Sequence, residues 1–214
     1  DSYTTPHLSD IDDDGDFDLV VRAKFGISYY ENTGTKEFPI FEQRFGEDNP
    51  LGGFTSSNPS YHFVDIDGDG DFDFFVGDKY DGKVFYYENT GDASNPVFEF
   101  KTGEDNPLSI VDLGEDSYTT PHLSDIDDDG DFDAFVGDID GNINYYENIG
   151  DKNNPVFEQR TGSDSPVSQV NVGYEALPEL ADVDNDGDID LAIGDGYGTI
   201  QYYENIGDKQ NPNF

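Results

Sequence analysis

The sequence predicts an all-β fold of four tandem four-stranded antiparallel meanders. These are β-propeller blades, set either in a small ring or in part of a longer propeller or open repeat array. Three observations carry that expectation. The phrase D-x-D-x-D-G-D-x-D occurs four times, at Asp10–Asp18, Asp65–Asp73, Asp125–Asp133 and Asp182–Asp190, with its first aspartates 55, 60 and 57 residues apart. Each copy runs directly into a short β-branched and aromatic stretch: FDLVV, FDFFV, FDAFV or IDLAI. A tight-turn signal and the tetrapeptide Y-Y-E-N then follow every time. A regular period of this length belongs to stacked repeats, because each unit must bury its apolar faces on its neighbours.

The units span approximately 1–57, 58–115, 116–174 and 175–214, the last of them incomplete. The first strand of each enters the acidic phrase and carries Leu8, Phe63, Leu123 or Leu180 two residues before it. The second strand leaves the phrase. In the second unit Phe72, Phe74 and Val76 alternate with Phe75, so both faces are apolar and a covered strand is expected. Gly26, Asp81-Gly82, Asp140-Gly141 and Gly196/Gly198 supply the next turn, Asp-Gly being a strong hairpin signal. The third strands are ISYYEN, KVFYYEN, INYYEN and IQYYEN. The fourth are IFEQR, VFEFK and VFEQR, each with proline just before or at its start, where a missing N–H does least harm. No segment shows a helical period with caps. The internal duplication is strong: residues 1–18 and 116–133 are identical, and GEDNPL recurs at Gly46–Leu51 and Gly103–Leu108.

Carboxylates at alternate positions repel one another by about 1 kcal/mol per pair at 4 Å even in bulk water. No lysine or arginine lies inside any of the four phrases, so the counter-charge must come from solution. Hard oxygen ligands on a flexible loop select Ca2+ over zinc or copper, and over Mg2+ with its tighter octahedron. The expected side-chain ligands are the first residues (Asp10, Asp65, Asp125, Asp182), the third (Asp12, Asp67, Asp127, Asp184), the fifth (Asp14, Asp69, Asp129, Asp186) and the ninth (Asp18, Asp73, Asp133, Asp190). The seventh residues (Asp16, Asp71, Asp131, Asp188) are expected to contribute a backbone carbonyl while their carboxylates face water. Gly15, Gly70, Gly130 and Gly187 allow the chain to bend around the ion. An EF-hand is excluded, because its bidentate glutamate at position twelve is replaced by Val21, Val76, Val136 or Ile193. About four Ca2+ are expected, one per repeat, as structural ions.

The acidic loop, followed by F-D-x-x-V-G-D and then Y-Y-E-N-T-G, resembles the FG-GAP/VCBS repeat family over essentially the whole chain. That resemblance implies a bladed propeller, commonly with more blades than four, carrying calcium between the first two strands of each blade. It also implies adhesion or glycan binding. The first unit departs from the pattern, with VVRAKFG at Val20–Gly26 in place of V-G-D.

Composition narrows the function further. A formal net charge of −39 excludes nucleic acid as a partner and argues against anionic membranes. No apolar run approaches the length of a membrane-spanning helix, and no signal peptide is visible in the sequence. Loops of this type in extracellular modules have dissociation constants of roughly 10⁻⁴–10⁻³ M, which places the protein outside the cell or on its surface. His7, His62 and His122 each stand three residues before the first aspartate, with Glu179 in the fourth unit, a scaffold position rather than a catalytic one. Among 49 acids any pairing of carboxylates is unspecific, and no nucleophile motif stands out, so no enzyme is expected. The pairs Tyr29/Tyr30, Tyr86/Tyr87, Tyr145/Tyr146 and Tyr202/Tyr203 put one ring on each strand face, either as inter-blade core or with one ring free to stack on sugars. The expected function is an extracellular calcium-binding scaffold for adhesion or for binding a protein or glycan partner. Two alternatives stay open: the building block of a self-associating, calcium-stabilised filament or surface layer, and the accessory propeller of a larger polysaccharide-active enzyme.

Overall fold

Period-two patterning interrupted by acidic bends produces four consecutive sheets. The structure, a computed structural model, describes residues 5–23, 26–52, 54 and 59–214. The first hairpin turn at Lys24 and Phe25 and the boundary expected at 57/58 lie outside these residues. The first sheet comprises β1 (Pro6–Ser9), β2 (Asp18–Ala23), β3 (Gly26–Asn32) and β4 (Phe41–Gln43). The second comprises β5 (Ser60–Val64), β6 (Asp73–Gly77), β7 (Val84–Asn89) and β8 (Phe98–Lys101). The third holds β9 (Thr120–Ser124), β10 (Asp133–Gly137), β11 (Ile143–Asn148) and β12 (Phe157–Arg160); the fourth has β13 (Leu177–Ala181), β14 (Asp190–Gly194) and β15 (Ile200–Tyr203). Strand order within every sheet follows the chain, and all pairs are antiparallel. Register repeats as well: Val20, Phe75, Phe135 and Ala192 stand opposite Tyr29, Tyr86, Tyr145 and Tyr202. These are the blades of an all-β propeller, with β1, β5, β9 and β13 innermost around a common axis.

Each blade buries one residue set against the preceding blade and the alternate set against the following one. Ile11, Val20 and Tyr29 of the first blade meet Phe63, Phe74 and Val76 of the second. Ile66, Phe75, Val84 and Tyr86 meet Leu123, Ala134, Val136, Tyr146 and Phe157 of the third. Ile126, Phe135, Ile143 and Tyr145 meet Leu191 and Ile193 of the fourth. Among the described residues no such cluster joins the fourth blade to the first. Burying each large apolar side chain contributes about 1.5–3 kcal/mol, so the three junctions carry most of the fold's cohesion.

The linker after each fourth strand was the one segment without a structural reading. GEDNPL and its relative GSDSPV form 3-10 turns at Gly46–Asp48, Gly103–Asp105 and Gly162–Asp164. They deliver Leu51, Leu108 and Val167 into the junctions as apolar plugs. Asn106 fixes one of them, donating Nδ2–H to the Val84 carbonyl at 3.0 Å and accepting the Leu108 N–H at 3.0 Å. No helix among the described residues is long and apolar enough to cross a membrane.

Close approach of blades near the axis explains the V-G-D glycine. A Cβ at Gly77 would overlap the Thr119 carbonyl oxygen, and one at Gly137 the Ala176 carbonyl oxygen; at Gly194 it would meet only Leu177 Cβ, at an ordinary 3.9 Å. The first blade carries Arg22 at this place and uses it differently: its guanidinium donates to the Tyr118 hydroxyl of the third blade at 2.8 Å. Gly137→Ala is therefore expected to cost about 1–3 kcal/mol through overpacking, and Gly194→Ala to stay within about 0.5 kcal/mol of the parent. Urea denaturation of both variants checks this, and equal losses would contradict the close-approach account.

Candidate metal centre

Every acidic phrase folds into the bend between the first two strands of a blade. In each, the first, third and fifth aspartates present carboxylate oxygens within 4.8 Å of one another: Asp10/Asp12/Asp14, Asp65/Asp67/Asp69, Asp125/Asp127/Asp129 and Asp182/Asp184/Asp186. The backbone makes this possible. The sixth-position glycines take φ of 95°, 101°, 97° and 100°, a region that only glycine enters without strain. The fourth position is also left-handed, at Asp13 (53°), Gly68 (71°), Asp128 (58°) and Asn185 (61°), so Asp, Asn and Gly there are a requirement the sequence reading passed over. Backbone N–H groups hold the carboxylates in place. Gly15 and Gly130 donate to Asp10 Oδ2 and Asp125 Oδ2 at 3.1 and 3.2 Å, and Asp16 and Asp131 donate to Asp14 Oδ1 and Asp129 Oδ1 at 3.0 and 3.1 Å.

The residues fit a bound cation on an observation independent of their spacing. Asp12 Oδ1, Asp16 Oδ1, Asp65 Oδ1, Asp71 Oδ1, Asp182 Oδ1 and Asp188 Oδ1 are buried oxygens without a hydrogen-bond donor. A buried acceptor left unpaired costs about 1–3 kcal/mol, more when charged, and a divalent ion ligated by oxygen removes that cost. The seventh-position residues expected to face water divide: Asp71 and Asp131 are buried, whereas Asp16 and Asp188 are half-buried.

The ninth aspartate stands apart from the triad and is clamped by Y-Y-E-N. Asp18 Oδ1 accepts the Asn32 N–H at 2.8 Å, while its Oδ2 accepts the Tyr29 hydroxyl at 2.8 Å and the Ile11 N–H at 3.3 Å. Asp133 repeats this with Asn148 and Tyr145, and Asp190 with Asn205, Tyr202 and Val183; Asp73 accepts the Asn89 N–H at 2.8 Å. The remaining members of the tetrapeptide have their own partners. The asparagine side chain holds the following turn, Asn32 Oδ1 accepting from Gly34 and Ile40 N–H. The glutamate pairs with the cation of the fourth strand: Glu31 with Arg44, Glu88 with Lys101 and Glu147 with Arg160. The second tyrosine packs toward the preceding blade, as Tyr146 does in the core. Both rings are thus inter-blade, and neither forms a sugar platform at the internal junctions. Sequence reasoning missed the clamp because its partners lie 11 to 16 residues apart on different strands.

Crowding sets the acidity of these groups. Burial first, then the neighbouring carboxylates, raises Asp12, Asp71 and Asp131 to about 6. Burial outweighs the clamping hydrogen bonds at Asp73, raised to about 7, and at Asp133, raised to about 8. At Asp190, burial pushes the carboxyl up but the bonds from Asn205, Tyr202 and Val183 outweigh it, and it lies below its ordinary value.

The axial histidines come together, though not as a metal triad. His7, His62, His122 and Glu179 line a cavity of about 110 Å³. The rings of His62 and His122 are 4.3 Å apart, and His122 Nδ1 lies 3.4 Å from Glu179 Oε2. Burial lowers all three histidines, His122 to about 4, so they are neutral at pH 7 and pack as scaffold.

The raised carboxyls fix the sign of a pH effect. Folded metal-free protein holds protons that the unfolded chain, at the ordinary value of 3.8, releases. Its stability is therefore fullest below 3.8 and falls as pH rises through about 6 to 8. Chelator-treated protein is expected to melt at a higher temperature at pH 5 than at pH 8. Saturating calcium is expected to close or reverse that gap, since it requires ionised ligands. Thermal scans at the two pH values measure it, and a metal-free protein that gains stability toward pH 8 would refute the sign.

Comparison with known proteins agrees with this architecture. The model of the FG-GAP-like repeat family matches residues 10–76, a span running from one acidic loop through the next and its exit strand. Integrin alpha-4 of Xenopus laevis is 31% identical over 143 residues, covering 61% of this chain and 13% of that protein. Among solved structures, a lectin of Agrocybe aegerita, described as recognising non-reducing terminal N-acetylglucosamine, superposes with a TM-score of 0.51 at 21% identity. The match covers 96% of this chain and 50% of the lectin chain, so the present chain spans half the length of that structure and a small part of the integrin. Residues 10–76 thus match the FG-GAP-like repeat, and the acid loop, the strand exit and the clamping tetrapeptide of that span recur together in all four blades.

Proposed function

We propose that the chain is an extracellular binding scaffold held in shape by calcium and that it acts by contact with a protein or glycan partner rather than by catalysis. The observation that carries this reading is the set of four Asp triads, with buried, donor-less carboxylate oxygens in the first, second and fourth loops. Asp10, Asp12 and Asp14 and their counterparts would hold the ion, with the seventh residue completing the shell. The ion would neutralise the bend and allow the adjoining strands to stay buried. Affinities of roughly 10⁻⁴–10⁻³ M for such loops suit an extracellular setting. The integrin relative and the lectin neighbour support binding at a cell surface as the class of activity.

For a glycan, the surface of suitable shape is a groove of about 520 Å³ between the third and fourth blades. Glu147, Gln169, Gln210 and Asn213 line it, offering a carboxylate and amides to sugar hydroxyls.

Two measurements test the reading. A site filled at a hundred times its dissociation constant adds about 2.7 kcal/mol to the native state. Calcium is therefore expected to raise the melting temperature by many degrees and Asp127→Asn to remove part of that gain. An identical melting curve in calcium and in chelator would end the calcium reading. Retention on a glycan array, lost in a Glu147→Ala variant that melts normally, is expected for the groove. Retention unaffected by the substitution would move the ligand elsewhere.

A further inference from the structure

The first and third acid loops are identical in sequence, DIDDDGDFD at Asp10–Asp18 and at Asp125–Asp133. Any difference in their hold on a cation must therefore come from their surroundings. Both carry an aspartate at the fourth position, Asp13 and Asp128, which the expected ligand set does not use. Such a carboxylate still adds its charge to the field of the site.

One difference between the two lies across a blade junction. The turns NTGDASNP, NIGDKNNP and NIGDKQNP share one geometry, with Asp92, Asp151 and Asp208 bridged to Asn95, Asn154 and Asn211. The next residue of each turn, Ala93, Lys152 or Lys209, reaches the acid loop of the preceding blade. Lys209 Nζ lies 3.4 Å from Asp128 Oδ2 and 3.5 Å from its Oδ1. The Lys152 side chain lies against Gly68, the fourth residue of the second loop. Ala93 instead shares a cavity of about 40 Å³ with Asp10 and Asp13 of the first loop. Asp128 thus has an ammonium from the next blade, whereas among the described residues no cation stands within ion-pair distance of Asp13.

We propose that the residue at this turn position sets the calcium affinity of the preceding loop: Lys209 lowers it at the third loop, and Ala93 leaves the first loop unopposed. The proposal rests on the calcium reading of the loops. An ammonium beside the carboxylates favours the metal-free state by supplying counter-charge, and it repels an arriving divalent ion. Charge count is one of the means by which oxygen-ligand loops tune their affinity. The side chains of Lys209 and Asp128 are 46% and 55% exposed, so solvent limits the effect to about two- to fivefold in dissociation constant at low salt. Added salt reduces it further. By reciprocity, filling the third loop loosens Lys209 from Asp128, and ion uptake in one blade is felt at a turn of the next.

Calcium titration of the full chain, followed by amide NMR, reads the two loops separately. The reporters are the Gly15 and Gly130 N–H groups, which donate to Asp10 Oδ2 and Asp125 Oδ2. Lys209→Ala is expected to lower the Gly130 midpoint by the stated factor and to leave Gly15 unmoved. Ala93→Lys is expected to raise the Gly15 midpoint by a similar factor and to leave Gly130 unmoved. Lys209→Arg keeps the charge and is expected to retain the parent midpoints, and both shifts are expected to shrink as sodium chloride is added. Lys209 is exposed, so its substitutions stay informative even where Ala93→Lys fails to fold. A Gly130 midpoint that Lys209→Ala does not change, one that moves together with Gly15, or a shift indifferent to salt would overturn the proposal while leaving calcium binding in place. Absence of any calcium-dependent shift at either glycine would remove the calcium reading and this proposal with it.

Discussion

Carboxylates crowded into a bend between two buried strands are the constraint on which the rest of this structure depends. Each acid loop must turn tightly enough to bring three aspartates within 4.8 Å, yet its flanks run straight into apolar sheet. Backbone N–H donors and left-handed positions hold the oxygens inward, against their mutual repulsion. Without a cation, protons are the available counter-charge, which is why the carboxyl groups with the strongest burial are the most weakly acidic. The fold therefore stores an electrostatic demand at four places, and its oxygen-only chemistry determines what can answer it.

Y-Y-E-N distributes that demand through a blade. Alternation along the strand sends its two tyrosines to opposite neighbours, its glutamate to the fourth strand and its asparagine to both the ninth aspartate and the next turn. Four consecutive residues thus connect the acid loop, the sheet and both adjoining blades. Stability in such an array is the sum of units and nearest-neighbour junctions, and here one tetrapeptide takes part in both contributions.

Strand order, the acidic bends and the triad positions were legible because they are local: a period of two, a glycine at a fixed place, and aspartates at alternate positions. The structure departs from the reading wherever partners are distant in sequence. The clamp from Tyr29 to Asp18 joins distant residues, and GEDNPL, although it recurs, carries no period that marks Leu108 as a plug. The seventh-position carboxylate was assigned to solvent because an acidic side chain is usually exposed; the inward bend reverses that preference at Asp71 and Asp131. Arg22 belongs to the VVRAKFG segment by which the first unit departs from V-G-D. In the folded chain it ties the first blade to Tyr118 across the axis, a link that depends on closure in three dimensions.

Comparison of the ninth aspartates shows how blade stacking and acidity are coupled. Asp133 lies beneath the fourth blade and is raised to about 8, with loss of water as the first cause. Asp190 keeps the same asparagine and tyrosine partners, adds the Val183 N–H, and falls below its ordinary value. Burial and repulsion from Asp127 and Asp131 raise Asp133, whereas Asp190 accepts that additional bond. Burial of Asp133 thus makes its acid loop costlier to ionise, and a cation in that loop offsets the cost. By linkage, whatever seats on a blade and whatever fills its loop must favour one another equally. Burial of the tyrosine and neutralisation of the aspartate it touches are two halves of one equilibrium.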